Sequence, residues 1–471
     1  VLEFAANGTG RLYYLTKTAT AGTPSQAEIT GGTAVDYTAA GKTQSISISA
    51  ATGSRQTVYA MLVSGDDRSA IASVTVAPYS DIDLIRRRYF ELLTGDSKVD
   101  YADEAMASRY KSLLASFKQA HSKASQYDPD AEGLTPLDVN EKNTPNDIML
   151  VRELVGSVLF PLAMAYNIEG PADDPNPDYH NPTTLSEILR LYRYLSVRNF
   201  RSGRELHFAG GGIYLRLTGY FYASMLMRTE LQRAGMLDEV ADMMGWATRW
   251  VAPDGADIEG GEGVTGKGDW TATSKGNTSL SDGVRTIYNN RLMYLLTLAD
   301  AAADREDKMA YLTTVLDHMY RPHDAWDGFL KPDYTGYHHN GPWGNTYSTN
   351  AMGVAAQVSY LLRGTDYAVA QASAEHIARG LRAYADYSAR YDINRGLCGR
   401  FPNQLRNIPV DLPGFAFIYE TLPAGELRTA IGESFANLYD PAYSLVKSKL
   451  INNVACEILF TGGIGSPPLS N

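Results

Sequence analysis

Cysteine is almost missing from this sequence: Cys398 and Cys456 are the only two. A pair of thiols builds neither a disulfide framework nor a zinc ligand set, and so low a count assigns no compartment. Long apolar runs are missing as well. No stretch of eighteen or so hydrophobic residues occurs, so no transmembrane helix is expected. Nor does the chain open with a recognisable secretory leader. It begins at Val1 rather than Met, which is compatible with a leader removed or trimmed. Excess positive charge is absent too. Against 42 Lys and Arg stand 53 Asp and Glu, a formal net charge of −11, which argues against nucleic acid as the natural partner. It leaves room for an anionic sugar, because a local basic cleft can sit in an acidic protein. No fixed-period repeat of the tetratricopeptide or ankyrin kind is found.

What remains is an ordinary globular composition over 471 residues, 44% hydrophobic and 20% charged. That length suggests about two to four domains and a sizeable core. Tyrosine is the outlier, 31 against 13 phenylalanines. Its flat apolar face and hydroxyl suit sugar rings, although stacking between helices uses the same properties.

Residues 1–80 differ from the rest. "GRLYYLTKTA", "TQSISISA", "TVYAMLVSGD" and "SAIASVTVAP" alternate apolar and polar residues and favour β-branched types. "SGDDRS" at 64–69 reads as a hairpin loop. A small β-sandwich of the fibronectin III or immunoglobulin kind is expected, with a spacer role. "PYSDID" marks the junction, where Asp81 or Asp83 could cap the next helix. From residue 81 to 471 the period becomes helical, as in "TLSEILRLYRYLSVRNF" and "NAMGVAAQVSYLLRG". About a dozen such segments predict an all-α domain of stacked antiparallel hairpins, either a solenoid or a closed toroid. The joins 252–283 and 321–348 are too long for plain helix turns. Long ordered joins are usually functional and should gather on one rim.

Four stretches carry chemistry. "DYTGYHHNGPWGNTYS" at 333–348 crowds two histidines, a tryptophan and three tyrosines among glycines, and no helix or strand pattern accounts for it. Glycine allows close approach of backbone to ligand; Tyr337 and Trp343 offer stacking faces. Adjacent histidines on a loop seldom point at one metal ion, and no Cys or carboxylate spacing supports one. Surface histidines are the plain alternative. "INRGLCGRFPNQ" at 393–404 sets Arg395 and Arg400 on either side of a turn. Their planar forks suit carboxylate or sulfate, or they are solvated. "ELHFAGGGIYLRLTGYFY" opens an aromatic helix with His207 and Arg216 near its start. Tyr220, Phe221 and Tyr222 read as packing residues. A Gly-rich loop carries Asp257, Glu259 and Glu262, either a solvated acidic loop or a carboxylate pair for glycoside hydrolysis.

Taken together, "LMRTELQRAGMLDEV", "SDGVRTIYNNRLMYLL", "DGFLKPDYTGYHHNG", "YLLRGTDYAVA" and "GRFP" resemble, in that order, the helical domain of the chondroitin ABC lyases. These belong with the hyaluronate lyases in polysaccharide lyase family eight. The likeness covers about residues 82–460. It implies an incomplete (α/α) toroid and β-elimination on uronic-acid polysaccharides such as chondroitin sulfate, dermatan sulfate or hyaluronan. Residue by residue, it places the family histidine on His339, the tyrosine on Tyr347 and the arginine on Arg400. Asn403 lies close by, and His338 is a substrate contact at most. His339 and Tyr347 stand eight positions apart, one more than in the closest family pattern, which leaves room for an extra loop residue. The family also draws a glutamate from a following β-sandwich. The present sequence supplies none, so a fragment of a longer protein or a truncated relative is expected.

The chemistry fits those residue types. Elimination removes the proton beside a uronate carboxylate and expels the glycosidic oxygen. A histidine can offset the developing charge. A tyrosine can move the proton, and an arginine beside a phenol favours its charged form. No cofactor is expected; a structural divalent cation is compatible with the residues but not called for by them. The resemblance further implies a secreted or periplasmic monomer acting on an anionic polysaccharide. Two alternatives stay open: a non-catalytic glycan-binding protein of the same fold, and a toroid glycoside hydrolase using the 257–262 carboxylates.

Overall fold

The computed structural model describes residues 2–4, 6–18, 23–38, 40–41, 44–46, 56–76, 80–96, 99–137, 150–202, 217–248, 280–302, 305–324, 328–338, 341–344, 347–389, 392–399 and 412–438. The chain divides into two units, Val1–Ser80 and Asp81–Asn471.

In the first unit, strands β1 (Leu2–Phe4) and β4 (Gln44–Ile46) pair separately. The main sheet has five antiparallel strands, built on β2 (Gly10–Thr18), β3 (Thr33–Tyr37), β5 (Gln56–Ser64), β6 (Asp67–Arg68) and β7 (Ala72–Val76). The turn at 64–69 is a tight hairpin: Ser64 faces Asp67, and Gly65 takes φ +62°. Its small core includes one helix beside the strands. A short helix, Gln26–Thr30, supplies Ile29, which packs with Tyr59 and Met61 of β5. Ser25 fixes that helix by a capping box with Glu28.

The second unit is mainly helical, and its helices are of two kinds. One kind is buried almost all round. Phe160–Asn167, Thr218–Leu226, Tyr288–Thr297 and Tyr347–Leu362 bury most of their residues, and Leu412–Thr421 buries or half-buries all of its own. The other kind buries one stripe, as in Pro182–Val197, Arg305–Tyr320, Gln371–Asp386 and Glu426–Leu438. A helix apolar on every side belongs inside, and a striped one belongs between core and water. Along the chain the two kinds alternate. This order makes a double-layered helical toroid of inner and outer helices. Pro182–Val197 illustrates the local rules: Asn181 accepts from the Thr183 amide and Pro182 occupies the first turn.

At the centre lies a buried polar knot. Tyr89, from the helix Asp81–Thr94, donates to Asn289 Oδ1 at 2.7 Å. Asn289 Nδ2 in turn donates to Tyr222 at 2.9 Å, and Gln357 reaches Tyr89 at 3.4 Å. Asp81 does not cap its own helix; its carboxylate accepts from the Asp366 amide at 2.6 Å, while Asp83 pairs with Arg86.

Alternation has a consequence for function. Four of the five inner helices begin within or beyond the stretches that carry chemistry, at Thr218, Leu280, Tyr347 and Leu412; Phe160–Asn167 does not. Packing of Tyr347–Leu362 against the turn Gly283–Ile287 brings two of these starts side by side.

Candidate active site

The 333–348 stretch is not a plain loop. Tyr337–His338 pairs with Gly341–Pro342 as a minimal antiparallel hairpin, His338 opposite Gly341. Neighbouring residues of a strand point to opposite faces. Thus Tyr337 stays half-buried beneath Lys331, whose Nζ lies 5.2 Å from its ring centre, while His338 turns inward and is 0% exposed. The hairpin seats on the next helix through Gly336. A Cβ there would stand 2.4 Å from Ser348 Cβ, so only glycine fits this approach. Ser348 Oγ donates to the Trp343 carbonyl at 2.6 Å and meets Tyr384 Oη at 2.7 Å.

Tyr347 is the first residue of its inner helix and is half-buried. The His338 ring stacks on it with centroids 3.9 Å apart and planes 16° from parallel. Trp343 meets it edge-on at 4.9 Å. The Arg285 guanidinium lies 4.9 Å from the ring centre, within reach for a cation–π contact. Arg285 Nε donates to Asp282 Oδ1 at 2.7 Å. The other Asp282 oxygen is 3.9 Å from His338 Nε2, and Ser281 Oγ hydrogen-bonds His338 Nδ1. One carboxylate thus faces both groups that touch the phenol.

The turn at 393–399 joins this cluster. Trp343 forms a β-bridge with Cys398, and the Gly344 amide donates to the Leu397 carbonyl at 2.6 Å. Gly399 adopts φ +54° against the Trp343 indole. Cys398 is buried, which raises its thiol pKa and keeps it protonated. Arg395 sits exposed on the short 3-10 turn Arg395–Leu397.

The expected site is thus revised in part. His338 and Trp343 do not offer faces to a sugar. Trp343 is 3% exposed, and both rings pack on Tyr347 instead. Of the candidate cationic groups, His338 is buried and Arg395 is exposed. His339, Arg400, Asn403, Arg216 and His207 lie outside the described residues, as do Asp257, Glu259 and Glu262. Tyr220, Phe221 and Tyr222 are buried, in line with a packing role. Ser281, Asp282 and Arg285 were not singled out by sequence. Their signal was the Asp-x-x-Arg spacing at 282–285, which places the pair on one helical face. Among the described residues no group of three His, Cys, Asp or Glu could hold a metal ion, and no helix is long and apolar enough to cross a membrane.

The geometry thus sets Tyr347 at the head of an inner helix, among His338, Trp343 and Arg285. Residues 207–421 match the family model described as "Lyase, catalytic". The fold is shared with a Paenibacillus xanthan lyase, at TM-score 0.59 and 13% identity over 81% of this chain and 33% of that one. It is shared equally with a mutant of Streptomyces coelicolor A3 chondroitin AC lyase, at TM-score 0.60 and 15% identity over 83% of this chain and 50% of that one. The same Streptomyces enzyme in complex with chondroitin sulphate gives TM-score 0.55 and 15% identity, over 79% and 48%. The chain therefore spans a third to a half of the length of these structures. No curated protein matches it in sequence. The family match covers just under half of the chain, and the similar structures show the fold.

Proposed function

We propose that this chain carries the proton-transfer machinery of a polysaccharide lyase. It acts on uronic-acid glycosaminoglycans of the chondroitin, dermatan or hyaluronan type. The setting of Tyr347 carries this reading: a half-buried phenol at the head of an inner helix, within the matched stretch, stacked on His338 and overlain by Arg285.

In the proposed reaction Tyr347 Oη takes the proton from the carbon beside the uronate carboxylate. The electron pair of that C–H bond becomes the new C=C bond, and the glycosidic C–O bond breaks. The expelled oxygen then receives a proton, which Tyr347 returns to it as general acid. His339 and Arg400 are assigned by resemblance to the charge that builds on the carboxylate and the phenol. Only protons and one C–O bond change hands, so no redox cofactor enters. A polymeric substrate cannot cross a membrane intact, which favours a secreted or periplasmic site of action. The chain is taken to act as a monomer, with the β unit as a spacer.

Incubation with chondroitin sulfate and with hyaluronan tests this. The expected outcome is an ultraviolet-absorbing unsaturated product from at least one of them. A saturated product with a new reducing end would mean a hydrolase. Binding without any product would mean a glycan-binding protein, and either result would overturn the lyase reading.

A further inference from the structure

Arg285 stands outside the trio named by resemblance, yet it is the described cation nearest the Tyr347 ring. It belongs to a π-helical turn, Gly283–Ile287, that opens an inner helix. Such widened turns recur at functional sites. Its Nε is tied to Asp282 at 2.7 Å, and among the described residues its two terminal amino groups carry no hydrogen bond. The side chain is 23% exposed. The guanidinium is therefore fixed at one edge and open at the other, 4.9 Å from the phenol ring centre.

We propose that Arg285 clamps the carboxylate of the uronate whose proton Tyr347 removes. This rests on the lyase reading. The reacting carbon bears that carboxylate, so a base in reach of the proton has the carboxylate one bond further on. A guanidinium beside the base is placed to meet it. Its planar fork matches a carboxylate with two parallel hydrogen bonds. Asp282 sets the plane of the fork by holding Nε and leaves the outer edge for the sugar. Once bound, the positive charge lowers the cost of the carbanion-like charge that builds during proton removal. The buried rings of His338 and Trp343 keep water from one side of the contact, which strengthens it.

A sulfate ester would also suit the fork, so the test uses both anions. Calorimetry measures binding of the 471-residue chain to three tetrasaccharides: from hyaluronan, from chondroitin sulfate, and from hyaluronan with its carboxyls reduced to alcohols. Arg285→Gln is expected to weaken the first two by about tenfold to hundredfold and to leave the third unchanged. Arg285→Lys keeps charge without the fork and is expected to fall between. Because lysine can still pair with Asp282, it decides the matter if the glutamine variant unfolds. Undiminished hyaluronan binding by these variants, a loss confined to the sulfated sugar, or no binding by the parent chain would each overturn the clamp. The two proposals fail separately. An Arg285-dependent affinity without unsaturated product would sink the lyase reading alone. Unsaturated product with an Arg285-independent affinity would sink the clamp alone.

Discussion

Gly399→Ala tests the contact that holds the two site segments together. Gly399 lies at φ +54°, and a Cβ there would stand 2.6 Å from both Cδ2 and Cε2 of Trp343. Two costs follow. An alanine in the left-handed region loses about 1–2 kcal/mol. Overpacking against a ring that is 3% exposed adds about 1–3 kcal/mol, since the indole has no open side to move into. Gly364→Ala isolates the first cost, because Gly364 has φ +66° and nothing within 4 Å of the position its Cβ would take. Urea unfolding should then show Gly399→Ala less stable than Gly364→Ala by about 1–3 kcal/mol. A second readout follows from the rings. Trp343 touches Tyr347 at 4.9 Å, and in the proposed reaction a shifted phenol costs rate steeply. Formation of unsaturated product should fall about tenfold to hundredfold in Gly399→Ala and stay near parent in Gly364→Ala. Equal stability losses in the two variants would refute the packing of Gly399 on Trp343.

Tyr347→Phe should abolish product formation while binding of a tetrasaccharide persists; full activity would remove Tyr347 as the proton carrier. His121 bridges two carboxylates, Asp178 at 3.0 Å and Glu187 at 2.5 Å. The hydrogen bond to Asp178 chiefly raises its pKa from 6.5 to about 8. Its stabilisation is complete below 6.5 and disappears as pH rises through about 8. The same bond lowers the Asp178 pKa below its usual 3.8, so that part fades only in acid. Unfolding curves at pH 6 and pH 9, for the parent and His121→Gln, should show a pH-dependent loss in the parent that the variant lacks. Tyr89→Phe removes the donor to Asn289 Oδ1 in the central knot and should cost about 1–3 kcal/mol in urea unfolding; a change within error would mean that Asn289 finds another donor.

How far the sequence could be read depends on the kind of order involved. Helix positions were legible, because three–four spacing is local and survives in both layers. "TLSEILRLYRYLSV" shows its stripe directly and folds as Pro182–Val197. "YNNRLMYLLT" gave no hint that Asn289, Asn290 and Arg291 are buried with the rest of Tyr288–Thr297, because their environment comes from other helices. The π turn at Gly283–Ile287 was equally hidden, since nothing in "GVRTI" marks a widened turn. The histidine pair shows the limit most clearly. Composition gathered His338, His339, Trp343 and Tyr347 into one stretch, and resemblance could rank them. Which ring turned inward depended on a two-residue strand, too short to show alternation and interrupted by glycine and proline. Once Tyr337–His338 pairs with Gly341–Pro342, the pleat sends His338 into the core beside Ser281 and Asp282. That step binds the 280s to the 330s, and it brings Arg285 to the phenol from a segment distant in the chain. In a toroid of alternating layers, the informative sites are the starts of inner helices. A polar residue one turn into such a helix, as Arg285 is, warrants testing beside any residue the loops supply.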